Sequence, residues 1–255
     1  MSDNKKDLGS LTDQSHWDAA WDSSVKLRMP SRLNVGVLNI TRLLKRHVFP
    51  GCRYIEIGCA PGKLLTWVAN VLQANALGLD YSDAGIFQCR RLFEALNLDI
   101  DLYHEDFFNH TLELESFDVV TSFGLIEHFD DPVPVVRQHL DLVKPGGVAI
   151  ITVPNYGGVY GSIQSWCDSP NLELHNLDIM TTSAMRALVD SSEVESVRAY
   201  RFGSVNPWVL NLGNKLPKFL VTMLNLGINA IGLIQPMNIG AIAPMLVLEI
   251  RKNKL

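Results

Sequence analysis

Two carboxylates and a glycine turn carry the first chemical signal in this 255-residue chain. Glu56 closes an apolar run, and Gly58 and Gly62 follow it in E-I-G-C-A-P-G, residues 56–62. Glycine lets backbone approach a ligand where a Cβ would block it. A helix starting directly behind such a turn offers unpaired N–H groups to a negatively charged or polar ligand. Asp80 ends a second apolar stretch, 22 residues after Gly58. A carboxylate about 20 residues beyond a glycine turn is placed to bind ribose hydroxyls. The pattern fits a nucleotide-like ligand. G-x-G-x-x-G is absent, because Cys59, Ala60 and Pro61 fill the space between the glycines, and this disfavours a nicotinamide dehydrogenase.

The elements that must position these residues alternate between strand and helix. Strands are expected at Arg53–Ile57, Ala76–Leu79, Ile100–His104, Phe117–Ser122 and Val148–Val153, with Lys144–Gly147 as a turn before the last. Helices are expected at His16–Asp22 and Leu33–Val48. Others follow Gly62 (face Leu64, Val68, Val71, Leu72) and Asp83 as cap (face Ile86, Cys89, Phe93, Leu96). A further one carries Val133, Val136, Leu140 and Val143. Such alternation predicts a parallel sheet with helices on both faces and ligand residues at the carboxyl ends of the strands. Glu56, Asp80, Asp106 and the segment Phe123–His128 all fall there. Two later strands, Glu195–Phe202 and Met245–Arg251, complete seven.

Composition narrows the partners. Hydrophobic residues make up 47% and charged residues 19%, enough apolar surface for a well-buried core. A net charge of −5 with no basic cluster argues against nucleic acid. Cys52, Cys59, Cys89 and Cys167 form no C-x-x-C pair and read as reduced thiols in a cytoplasmic protein. The first ten or so residues are polar, lack the apolar core of a secretory signal, and are expected to be disordered.

Four blocks in order resemble the class I S-adenosylmethionine-dependent methyltransferases of the small-molecule branch. They are E-I-G-C-A-P-G at 56–62, G-L-D at 78–80, E-D-F at 105–107, and F-D-V-V-T-S-F-G-L-I-E-H-F at 117–129, with L-V-K-P-G-G at 142–147. Ala60 stands where that family often has glycine, and Pro61 suits the first turn of the following helix. The resemblance implies a Rossmann-like seven-stranded, mostly parallel sheet with an antiparallel last strand and helical cap insertions, at about 155–182 and 204–243, in a domain spanning 33–255. Residues 1–32 would form an N-terminal arm and lid, with His16, Trp17 and Trp21 either covering the cofactor or anchoring the arm. It implies S-adenosylmethionine as cofactor. Glu56, Gly58, Cys59, Ala60 and Gly62 would face its methionine and ribose side, Cys59 serving as a small space-filler. Asp80 with Tyr81 would face the ribose, Glu105, Asp106 and Phe107 the adenine, and Phe123 and Gly124 the methyl group.

Methyl transfer from a sulfonium needs alignment more than a catalytic triad. For a hydroxyl acceptor a base helps, and His128 and His175 are the candidates, each with a structural loop role as the competing reading. No metal is expected, because Asp130 and Asp131 are adjacent and no third ligand is evident. Residues 219–248 carry no charge. Their longest helical part, Phe219–Ile234, falls short of the roughly 20 residues of a membrane span. Pro236 should stop that helix, and 238–244 should turn. A cap over an acceptor with apolar surface is favoured, with a homodimer surface or contact with a membrane surface as alternatives. The reading is O-methylation of a small molecule, a natural-product or sugar intermediate. A lipid-linked or quinone-type acceptor and an inactive cofactor-binding partner subunit are the alternatives.

Overall fold

The computed structural model describes residues 9–21, 26–192, 194–234 and 240–254. Most of the expected terminal disorder, and Asp22, Pro236 and Asn238, fall outside the described residues, but Ser10 is ordered, bridging to Phe129. Helix α1 (Gln14–Trp21) and helix α2 (Val35–Leu44) precede the sheet. The units β1 (Arg53–Ile57), α3 (Lys63–Leu72), β2 (Asn75–Asp80), α4 (Asp83–Ala95) and β3 (Asp101–His104) then alternate. They continue as β4 (Phe117–Phe123), α5 (Val133–Leu142) and β5 (Val143–Pro154). Beyond lie α6 (Val159–Leu172), α7 (Thr182–Ala187), β6 (Val194–Phe202), α8 (Lys218–Ile234) and β7 (Met245–Lys252).

The strands form one sheet in the order β3-β2-β1-β4-β5-β7-β6, parallel except for β7, which runs antiparallel to both its neighbours. This is the expected Rossmann-like arrangement. Strands β1, β4 and β5 are buried on both faces, which explains why their sequences are nearly continuous apolar runs. One core cluster, around Ile55, Val120, Ile151 and Leu248, lies on one side of the sheet. The other, around Tyr54, Trp67, Val119 and Val247, lies opposite, as the alternation of side chains along each strand requires.

Several local readings are corrected. Residues 144–147 are not a separate turn. Strand β5 begins at Val143, and its register against β4 shifts between Phe117–Val143 and Val119–Val148. Helix α4 is capped by Ser82, whose hydroxyl accepts from the Gly85 N–H at 2.9 Å, rather than by Asp83. Pro61 lies outside α3, joined to Ala60 by a cis peptide, and Gly62 at φ +81° caps that helix. Helix faces are displaced too. Val71 and Val133 are exposed, while Thr66, Trp67, Val135 and His139 are buried. The ten-residue α2 buries Val35, Asn39 and Leu43 because α8 and the Ser204 backbone pack against it.

Candidate active site

At the carboxyl ends of β1, β2 and β4 the backbone opens into a cleft. Gly58, Ala60, Asp80, Phe123, Gly124 and Leu125 line it, and Trp17 and Trp21 of α1 close one side. It encloses about 550 Å³ when the open solvent at its mouth is included. Gly58 and Gly124 sit at φ +69° and +76°, backbone shapes a side chain would strain. The Gly58 and Cys59 N–H groups both donate to the Leu79 carbonyl, pinning the turn to β2.

Asp80 organises the cleft. Its Oδ2 accepts from the Ala60 N–H and its Oδ1 from the Ser82 N–H, both at 2.9 Å. Burial raises its pKa despite these bonds. Glu56, two strand residues before Gly58, is 4% exposed. Burial first, and the neighbouring Asp80 charge second, push its carboxyl up to about 8. Among the described residues its Oε2 has no hydrogen-bond partner. A buried acceptor without a donor is costly. A ligand bringing hydroxyl or ammonium donors would satisfy it. These residues therefore fit S-adenosylmethionine, with Asp80 and Glu56 as its acceptors and the Gly58–Ala60 backbone as its floor.

Other expected contacts are redirected. Cys59 is 1% exposed and its Sγ packs under Gly78, near Cys89, so it is the space-filler the turn requires and its thiol does not face the cleft. Gly62 packs on the Phe93 ring, outside the cleft lining. Both Glu105 oxygens are taken by Thr111, by its N–H and hydroxyl, each at 2.7 Å. The Phe107 ring is core, edge-on to His139 at 4.8 Å. Asp106 stays near Tyr81, whose hydroxyl is held in its protonated form chiefly by burial and then by the Asp80 and Asp106 charges.

A second cluster adjoins the cleft. The turn Ile126–His128 follows β4 directly. His128 Nδ1 donates to the Leu174 carbonyl and His175 Nδ1 to the Asn171 carbonyl, each at 2.8 Å. A carbonyl only accepts, so both rings are proton donors at Nδ1 and keep a lone pair at Nε2. Their centroids lie 4.7 Å apart, and Trp17 meets His128 edge-on at 5.1 Å. Burial, with His175 beside it, lowers His128 to about 4; burial lowers His175 as well. Glu127 is 1% exposed, both its oxygens lack partners among the described residues, and burial pushes its carboxyl to about 8. Asp131 is occupied elsewhere, accepting from the Val133 N–H. Reading the sequence brought His128 and His175 forward but missed Glu127 and Leu125. Glu127 stood beside His128 in the same block, yet only the fold brings it to His175.

Residues 55–151 match a family model described as a methyltransferase domain. The chain is 35% identical over 107 residues to a ubiquinone biosynthesis O-methyltransferase of Ruegeria pomeroyi, across 42% of this chain and 43% of that protein. It is 31% identical over 141 residues to one from Neisseria meningitidis serogroup C, across 54% and 58%. The chain thus spans about half the length of the curated relatives it matches. Among solved structures it superposes on a Haemonchus contortus phosphoethanolamine N-methyltransferase 2 with TM-score 0.60 at 17% identity, across 84% and 52% of the two chains. A Thermotoga maritima S-adenosylmethionine-dependent methyltransferase gives 0.58 at 18%, across 86% and 90%. Fold, cleft and family match agree: residues 55–151 match a methyltransferase domain, and the sheet has the fold of S-adenosylmethionine-dependent methyltransferases.

Proposed function

We propose that the protein transfers a methyl group from S-adenosylmethionine to a hydroxyl of a small-molecule acceptor. The observation that carries this is the cleft itself: Asp80 anchored to the glycine turn and Gly124 baring backbone opposite, with the buried Glu56 two residues before Gly58. The cofactor supplies a methyl group already activated by the sulfonium charge. The chain supplies position and dryness. Asp80 and Glu56 accept hydrogen bonds from the cofactor's polar groups, Phe123 and Leu125 exclude water, and Trp17 and Trp21 cover the opening. Positioning of this kind removes several kcal/mol from a displacement barrier, of order 7–11 kcal/mol in favourable cases. His128 and His175, as neutral imidazoles beside the cleft, are the groups nearest to hand for the acceptor's oxygen.

The O-methyltransferase names of the relatives support oxygen as the accepting atom. Those relatives are named for ubiquinone biosynthesis, and α8 exposes Phe219, Met223 and Leu226, which favours as a second reading a lipid-like or quinone-type acceptor met at a membrane surface. The four buried, unpaired cysteines suit a reducing compartment and support a cytoplasmic location. No helix of the described residues is long and apolar enough to cross a membrane.

The test is calorimetric titration with S-adenosylmethionine and S-adenosylhomocysteine, followed by transfer of labelled methyl to a panel of hydroxyl acceptors. Micromolar binding is expected. Asp80→Asn should weaken it at least tenfold, because charge-assisted hydrogen bonds are lost. Unchanged affinity would remove Asp80 from the site, and tight binding with no transfer to any acceptor would favour an inactive partner subunit.

A further inference from the structure

Glu127, His128 and His175 are not explained by cofactor binding. One donor atom from each lies within 4.8 Å of the other two. Among the described residues nothing donates a hydrogen bond to either Glu127 oxygen, although the side chain is fully enclosed. A carboxyl enclosed this way keeps its proton unless a cation takes the proton's place. Both imidazoles are oriented by backbone carbonyls at Nδ1, which leaves Nε2 of each ring with its lone pair. That arrangement is the one metal-binding histidines use to fix ring and tautomer. The three residues are also held from several sides. The Asn176 N–H donates to the Glu127 carbonyl at 2.6 Å, its side-chain amide donates to the Phe129 and Asp130 carbonyls, and the Leu11 N–H donates to the His128 carbonyl at 2.8 Å.

We propose that Glu127, His128 and His175 bind one divalent first-row transition-metal ion at the edge of the cleft. Two imidazole nitrogens and one carboxylate are a donor set that suits zinc, iron, cobalt or nickel rather than magnesium or calcium, which prefer all-oxygen sites. Donors around such an ion at about 2.1 Å lie about 3–3.5 Å from one another, so the trio needs to draw in by about 1 Å on loading. Three protein ligands leave a coordination position open. It faces the cleft, because the Glu127 carboxylate borders Gly124: a Cβ there would sit 3.3 Å from Oε1. An ion at this place would hold an acceptor oxygen and ease loss of its proton near neutral pH. That role rests on the methyl-transfer reading; binding of the ion does not.

The experiment titrates chelator-treated full-length protein with Co²⁺ and with Zn²⁺, following Co²⁺ visible absorption and metal content after dialysis. One ion per chain is expected. Affinity should fall at least tenfold in His175→Ala and in Glu127→Gln and stay within twofold in His104→Ala, an exposed histidine paired with Asp83 away from the trio. S-adenosylhomocysteine affinity within threefold of wild type shows that a variant is folded, and His175→Ala alone carries the test if Glu127→Gln is not. Absence of stoichiometric binding in the wild type, or binding that survives in both folded variants, overturns the site. Stoichiometric metal binding that depends on the trio, in a protein that transfers no methyl group, upholds the site and counts against the methyl-transfer reading.

Discussion

Glu56 shows at the level of one residue how a binding site is maintained at the expense of stability. Its carboxyl titrates at about 8 in the folded chain, raised by burial and by Asp80, against an ordinary value near 4.5. Between those values the unfolded chain has lost a proton that the folded chain keeps. Stability is therefore complete below about pH 4.5 and is lost as the pH rises toward 8. At about 1.4 kcal/mol per pH unit, the loss by pH 7 is on the order of 3 kcal/mol. His139 acts with the opposite sign. Buried and neutral, it titrates at about 4, so the stability it contributes is present above its unfolded value near 6.5 and is lost as the pH falls toward 4. Glu56→Gln keeps the shape and removes one of these terms. In ligand-free protein the variant should match wild type near pH 4.5 and exceed it increasingly up to pH 7, as read by denaturant unfolding at stepped pH. A difference that does not vary with pH would mean that Glu56 is ionised in the fold.

Elements, not residues, decide what was legible in advance. β1 and β4 are apolar runs bounded by polar or turn residues, so their limits could be read almost to the residue. β5 could not, because Lys144–Gly147 carries turn chemistry and yet the β4 edge draws it into the strand through a register shift. Short helices were placed only approximately and turned only in part: Val68 and Val136 are buried as expected while Val71 and Val133 are exposed, since a ten-residue helix gives periodicity too few repeats to fix its face. The cofactor side of the site is a local motif: Glu56, Gly58 and Asp80 followed from spacing, and Ala60, Phe123 and Gly124 from the resemblance. The Glu127–His175 pairing is set by hydrogen bonds between 127–130 and 174–176, and no spacing encodes it. Helix α1 lies between these cases. Its tryptophans line the cleft, and Asp18 ties it down by accepting from the Ser82 hydroxyl at 2.7 Å and the Ala84 N–H at 3.2 Å. Binding of S-adenosylhomocysteine should therefore change tryptophan emission, and Trp17→Phe with Trp21→Phe should abolish most of that change. Asp18→Ala, losing a charged hydrogen bond of about 1.5 kcal/mol, should weaken cofactor binding about tenfold through faster dissociation in stopped flow. Unaltered dissociation would make α1 an anchor for the arm rather than a lid.

For the molecule as a whole, the open question is the outer face of α8. The helix is held by its other side, where the Asn229 amide donates to the Leu33 carbonyl and accepts from the Val35 N–H. Gly232 fits against Val35 and the Val205 carbonyl. None of its residues lines the cleft, so a direct cap over the cofactor is not what it forms. Phe219, Met223 and Leu226 are each about two-thirds exposed and share one side of the helix at i, i+4 and i+7. Their burial is worth about 1.5–3 kcal/mol apiece, enough together to hold a protein on an apolar surface. A net charge of −5 gives no general attraction to anionic lipid. Adsorption driven by this face should consequently occur on zwitterionic phosphatidylcholine vesicles and persist in high salt, whereas a charge-driven contact would be screened within about 10 Å at 0.1 M. Met223→Lys with Leu226→Lys should abolish co-flotation with such vesicles while leaving cofactor affinity and melting temperature unchanged, because neither side chain packs in the core. Wild-type protein that stays free of vesicles but sediments as a dimer, reverting to monomer in the double variant, would assign the face to a second copy of the chain and remove the membrane from the account of its acceptor.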